Sequence, residues 1–279
     1  FSQKTDLMVR DAKLDHASGV SLSYKGAVVD LKLNALREKM LADDHSLLVG
    51  GYYDKLDKLL KSPLYECLKN MPKPAVHHAH LTACASVDFL LFLTYKDEVY
   101  YSRQKNDFHV SAKGCTKEGY IRVNTLRQYW KEATNFDDWL RGKMELRPPA
   151  SAREDHAIWQ EFEPKFGLCY NLYHYKPFFE RAVYRVTREY IREMVTVVEF
   201  RHIIGGVFDD DGNKIPLEEE LAIFKSIEKT MQFRFPLFRL RLIICGLKIF
   251  GRGHIQAALD AVIEADRHTK MVVGFDMVN

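Results

Sequence analysis

The chain has 279 residues, 47% of them hydrophobic and 28% charged, the balance of a globular protein with a sizeable core. Its formal charge of +3 is dispersed, with Lys and Arg alternating with Asp and Glu along most helical stretches, so no nucleic-acid partner is expected. The longest apolar run, Leu240 to Phe250, is interrupted by Arg241 and Lys248, and no run is long enough to span a bilayer.

Residues 1–70 read as helical. Val28, Leu31, Leu36, Met40 and Leu41 lie near helical spacing, and Tyr53, Leu56, Leu59 and Leu60 form a second stripe beyond Gly50-Gly51. A strand is expected at 75–81. A helix follows, capped by Ser86 and running through Leu93. Residues 95–124 change character. Val99-Tyr100-Tyr101, Phe108-His109-Val110 and Tyr120–Val123 have the composition of short strands, which predicts a small β-rich insertion. Helices are expected over Thr125–Ala133, Phe136–Met144 and 152–166, with a break at Pro148-Pro149. Pro177 suits the first turn of a long helix carrying Phe178, Ala182, Val186, Tyr190 and Met194.

The remainder alternates. Thr196–Ile204, Leu237–Phe250 and Met271–Asp276 read as strands, and Leu217–Met231 and His254–His268 as helices. With the strand at 75, four βα-type strands are expected, which argues for a parallel α/β architecture. Asp209-Asp210-Asp211-Gly212-Asn213 lacks the spacing of a calcium loop and reads as a polar turn.

His78-Ala79-His80 carries the chemistry. Residues two apart in a strand point to one face, so both imidazoles can reach one metal ion from the end of one strand. The setting, a Pro-led apolar run, then His-x-His, then a helical stretch, fits the first strand of a metal-dependent barrel hydrolase.

Motifs spread along the chain resemble the adenosine deaminase family, within it the adenosine-deaminase-related growth factor branch. They are Met71-Pro72-Lys73 with His78-x-His80 and Val87-Asp88-Phe89-Leu90; Ile158-Trp159-x-x-Phe162 with Tyr173-His174-Tyr175-x-Pro177-x-Phe179; Val198-Glu199-Phe200-Arg201; and Val273-Gly274-Phe275-Asp276-Met277-Val278. The resemblance implies a TIM (β/α)8 barrel with its site at the C-terminal strand ends, of which about the first four strands are expected here. It divides the chain into an N-terminal helical extension, 1–70, used for dimerisation or docking, and half of a barrel, 71–279. It implies zinc as cofactor, with His78 and His80 as two of its ligands. Zinc lowers the pKa of bound water to about 7, and the hydroxide so supplied attacks the purine C6. The same resemblance places Trp159, His174 and the backbone N–H of Asn279 beside a purine nucleoside. Trp159 reads equally as a core aromatic and His174 as a packed histidine. Glu199 and Arg201 share a strand face, which predicts an ion pair inside the barrel.

The sequence departs from the family pattern. The third His, the general-base Glu and the metal-binding Asp are expected in the missing second half, so no catalytic residue is assigned in this chain. The family's Asp at one of the two positions after the second His is replaced by Leu81 and Thr82. Asn279 stands where the family has Gly. These departures keep a second expectation open, a non-catalytic deaminase-like subunit of a larger assembly, completed by the missing half or a partner chain. The five scattered cysteines, with no CxxC pair, no secretory signal and no Asn-x-Ser/Thr site, favour an intracellular protein.

Overall fold

Alternation along two neighbouring strands explains the main sheet. In β5 (Val195–His202) and β6 (Arg239–Leu247), Val198, Phe200, Leu240, Leu242 and Ile244 are buried, while Glu199, Arg201, Arg241 and Ile243 between them are only half-buried. One face therefore packs under helices and the other faces the barrel interior. The structure, a computed structural model, describes residues 2–14, 19–49, 51–146 and 155–278. Its strands β1 (Lys73–His80), β5, β6 and β7 (Val272–Val278) form one parallel sheet in the order β1-β5-β6-β7. This is the wall of half a (β/α)8 barrel, with β1 and β7 at its edges. All four strands end at the same rim, at His80, His202, Leu247 and Val278.

The segments between β1 and β5 are α5 (Leu81–Cys84), α6 (Val87–Leu93), three short strands, and helices α7 (Val123–Gln128), α8 (Phe136–Met144), α9 (Asp155–His174) and α10 (Lys176–Arg192). Ser86 caps α6, its Oγ accepting the Phe89 N–H at 3.3 Å. The short strands β2 (Val99–Ser102), β3 (Asp107–Val110) and β4 (Ile121–Arg122) make an antiparallel sheet in the order β3-β2-β4. Helix α11 (Leu217–Gln232) joins β5 to β6 and α12 (Gly251–His268) joins β6 to β7. Phe179 of α10 and Phe224 of α11 meet edge-on, ring centroids 5.6 Å apart, in the buried layer outside the sheet.

Boundaries differ from the sequence expectation in several places: the helix expected over Thr125–Ala133 ends at Gln128, and Met194 lies beyond the end of α10 at Arg192. Helix α9 runs through Pro164 to His174, beyond the expected end at 166. Proline costs a helix interior one hydrogen bond, but the turns beyond it bury Leu168, Leu172 and Tyr173, and Asn171 Nδ2 donates to the Phe108 carbonyl of β3 at 2.6 Å. Tertiary burial outweighs the local penalty. Strand β6 stops at Leu247, where a single 3-10 turn, Lys248–Phe250, leads directly into α12. The polar segment at 209–213 is a turn, with the Asp209 carboxylate accepting the N–H groups of Asp211 and Asn213, each at 2.9 Å.

Residues 1–70 and 71–279 form separate compact units. The first contains α1 (Ser2–Leu14), α2 (Tyr24–Asp43), α3 (Leu56–Leu60) and α4 (Pro63–Lys69). Ser23 and Ser62 cap α2 and α4, and Pro63 occupies the first turn of α4. None of the side chains of α2 is fully buried, and Leu31 is 70% exposed.

Candidate metal centre

The His-x-His pair sits at the rim end of β1, on a distorted segment. Val76 pairs with Val198, but the next registered pair is Ala79 with Phe200, so three steps on β1 match two on β5. Such a bulge bends the strand and re-aims its side chains. His78 and His80 emerge with their Nε2 atoms 3.1 Å apart and ring centroids 5.1 Å apart. Two nitrogens bound tetrahedrally to one zinc at 2.0–2.1 Å lie about 3.3 Å apart. The pair therefore fits two positions of a zinc site. Among the described residues, no group of three or more His, Cys, Asp or Glu is placed to hold a metal.

Arg201 braces this end of the sheet. From β5 its Nη1 donates to the His77 carbonyl at 2.6 Å, and its Nε donates to Asp276 Oδ2 on β7 at 2.9 Å. The guanidinium holds the Asp276 carboxyl below its ordinary range. Burial first, then the neighbouring His78 and Arg201 charges, push the His80 imidazole below its usual pKa, with Asp276 opposing. The neutral ring is the form that ligates metal.

The ion pair expected between Glu199 and Arg201 does not form. Glu199 approaches His77 Nδ1 at 3.2 Å, and Arg201 pairs with Asp276. Residues two apart on a strand stand about 6.6 Å apart, so each long side chain finds a nearer partner on another strand. The charged residues of two separate sequence motifs thus meet, which neither motif signals alone.

Among the described residues, no hydrogen bond or ring contact brings Trp159 or His174 to the pair. Trp159 is 56% exposed on α9, its ring edge-on to Phe162 at 5.4 Å. His174, at the end of α9, is 3% exposed. Its Nδ1 lies 2.9 Å from the Tyr170 carbonyl and its ring stacks on Tyr170 at 4.1 Å. Gly206 closes over it so tightly that a Cβ there would stand 2.7 Å from His174 Cδ2. Burial lowers the His174 pKa to about 4, so the ring is neutral at physiological pH. Asn279 lies outside the described residues. Leu81, which follows His80, is completely buried, and the Tyr173 hydroxyl donates to its carbonyl.

A second polar centre had no local sequence signal. His202, the last residue of β5, and Glu220, in the first turn of α11, meet at 2.6 Å with both side chains 1% exposed. The Gly205 N–H donates to the other Glu220 oxygen at 3.0 Å. His202 Nδ1 is buried without a hydrogen-bond partner. The only hint in the sequence is a histidine closing the otherwise apolar outer row Val198, Phe200, His202.

Adenosine deaminase from the sand fly Phlebotomus duboscqi is 22% identical over 96% of the chain and 55% of its own length. The chain resembles adenosine deaminases. Adenosine deaminase 2-A of Danio rerio is 23% identical over 93% of this adenosine deaminase-like chain and 54% of the relative, and human adenosine deaminase 2 is 23% identical over 78% and 45%. The deaminase-like chain spans about half the length of the curated relatives it matches. No family model matches it. An amidohydrolase from Burkholderia ambifaria, crystallised with bound zinc, superposes with a TM-score of 0.47 at 13% identity, covering 77% of this chain and 46% of that one.

Proposed function

We propose that this chain supplies the metal-holding half of a zinc-dependent hydrolase that converts adenosine, or a related aminopurine nucleoside, to inosine and ammonia. The observation that carries the reading is the convergence of the His78 and His80 Nε2 atoms to 3.1 Å at the rim where all four strands end. The deaminase resemblance supplies the substrate class. When bound, zinc supplies a Lewis acid that activates water at neutral pH. The chain's own contribution is to hold two imidazoles in ligand geometry. The remaining ligands and the general-base carboxylate belong to the second barrel half, which also covers the free edges of β1 and β7.

The test is ammonia release from adenosine in the presence of zinc. The 279 residues alone are expected to bind zinc weakly and to release none, because two ligands fall short of the three that catalytic sites use. A longer protein containing this chain and the remaining strands is expected to be active, and to lose activity on His78→Ala. Full activity in that variant refutes the reading.

The buried Leu81 favours a second reading, a deaminase-like subunit without catalysis. Of the two positions that could offer a carboxylate to the sugar, Leu81 is built into the core and Thr82 is half-buried. A longer protein that binds zinc and releases no ammonia establishes this alternative. On either reading residues 1–70 are a docking unit, with a homodimer as the expected partner. All five cysteines are free thiols, which suits a reducing intracellular compartment.

A further inference from the structure

We propose that Arg201 is a positioning residue for the imidazole pair, and that Asp276 is its anchor. The proposal rests on the reading of His78 and His80 as metal ligands. The bulge between Val76 and Ala79 inserts one extra residue into β1 and leaves backbone there without a ladder partner. Arg201 answers that gap through the His77 carbonyl, 2.6 Å from Nη1. His77 precedes His78 directly, so fixing its carbonyl fixes the peptide plane from which His78 projects. The same guanidinium is tied to Asp276 two strands away in the other direction, at 2.9 Å. Its side chain is 13% exposed and cannot swing freely into solvent.

One planar fork thus connects β1 to β7 across the interior face and sets the angle between two rings it does not touch. A guanidinium suits this task because its donors point in fixed directions towards two acceptors at once. The chemistry favoured by the resulting site is a divalent metal with a preference for imidazole nitrogen, such as zinc.

Zinc is titrated into the 279-residue chain and into Arg201→Gln, Arg201→Lys, Asp276→Asn and His78→Ala. Affinity is read by calorimetry, and the contact between the His78 and His80 rings by NMR in the absence of metal. The parent chain is expected to bind weakly and His78→Ala to lose that binding. Arg201→Gln is expected to bind about tenfold to a hundredfold more weakly than the parent, the range seen when a group supporting a ligand is removed. Its ring-to-ring contact is expected to vanish while melting still shows a folded chain. Arg201→Lys is expected to recover little, because a single ammonium lacks the fork. Asp276→Asn, which keeps an acceptor oxygen but not the charge, is expected to fall between.

An Arg201→Gln chain with zinc affinity within twofold of the parent and the ring contact intact overturns the proposal, while the ligand reading survives. Equal zinc binding by His78→Ala and the parent overturns the ligand reading, and the ring contact then decides the positioning claim by itself. If Arg201→Gln fails to fold, Asp276→Asn carries the test, and an unchanged ring contact there overturns the proposal.

Discussion

Removing the Glu220 carboxylate is expected to be among the most damaging single changes in the half-barrel. The side chain accepts from His202 Nε2 at 2.6 Å and from the Gly205 N–H at 3.0 Å, with both carboxylate and imidazole 1% exposed. Glu220→Ala leaves two buried polar groups unanswered, and His202 Nδ1 already lacks a partner. Breaking one side of a buried pair costs about 3–5 kcal/mol. For a unit of this size each kcal/mol shifts the midpoint by about 2–4 °C, so a fall of about 10 °C is expected. Burial pushes the Glu220 carboxyl up, but His202, the Gly205 N–H and His174 outweigh it and hold it below the ordinary carboxylate range. A depressed carboxyl contributes stability that is present above its unfolded pKa and is lost as pH falls through the folded value. The parent should therefore lose stability as pH drops below about 4.3, the unfolded value, and Glu220→Gln should lose less over the same window. The assay is urea unfolding at several pH values, followed by tryptophan fluorescence, since all three tryptophans lie beyond residue 70. A Glu220→Ala chain within about 1 kcal/mol of the parent, far below the cost of a broken buried pair, refutes the reasoning, as does an identical acid slope in Glu220→Gln.

Gly206→Ala places a methyl 2.7 Å from His174 Cδ2 and 3.0 Å from both His174 Nε2 and the Tyr170 hydroxyl, so a loss of about 1–3 kcal/mol is expected from chemical unfolding. Leu242→Ala empties a fully buried position on β6 and should cost about 2–5 kcal/mol in the same assay. An NMR titration should place His174 at about 4 and His80 below the ordinary histidine range, and ordinary midpoints for both would contradict the burial described for these rings. Deleting residues 1–60 should change the mass measured by light scattering if that unit docks a second copy, and an unchanged mass and melting temperature count against docking.

Much of the half-barrel is legible because its outer face needs apolar side chains at every second position. Val198, Phe200, Leu240, Leu242 and Ile244 announce two strands with no help from distant residues. The metal pair is legible for the same reason, since His78 and His80 are two apart on one strand. What escaped sequence reasoning was set by distant neighbours. Arg201 had a plausible partner two residues away in Glu199, and only the assembled sheet shows that Asp276, 75 positions later, takes its place. His202 and Glu220 are 18 residues apart, with a loop between them, and no periodicity links them. Helix α9 outran its expected end at 166 because the contact that extends it, Asn171 to the Phe108 carbonyl, comes from β3.

The register of the sheet also sets an order of events during synthesis. Lys73 pairs with Val195, a separation of 195 − 73 = 122 residues, whereas Val197 and Arg239 are 42 apart and Leu242 and Val272 are 30 apart. A ribosome adding about 5–20 residues per second leaves β1 without its neighbour for roughly 6–24 s. The β2–β3–β4 sheet spans only residues 99–122 and is complete long before β5 emerges. The strand that bears the two histidines is thus among the first made and must wait for β5, the strand it pairs with among the described residues. Its bulge acquires Arg201 only when the end of β5 leaves the ribosome, so the imidazole pair is shaped late, on a strand that was made early.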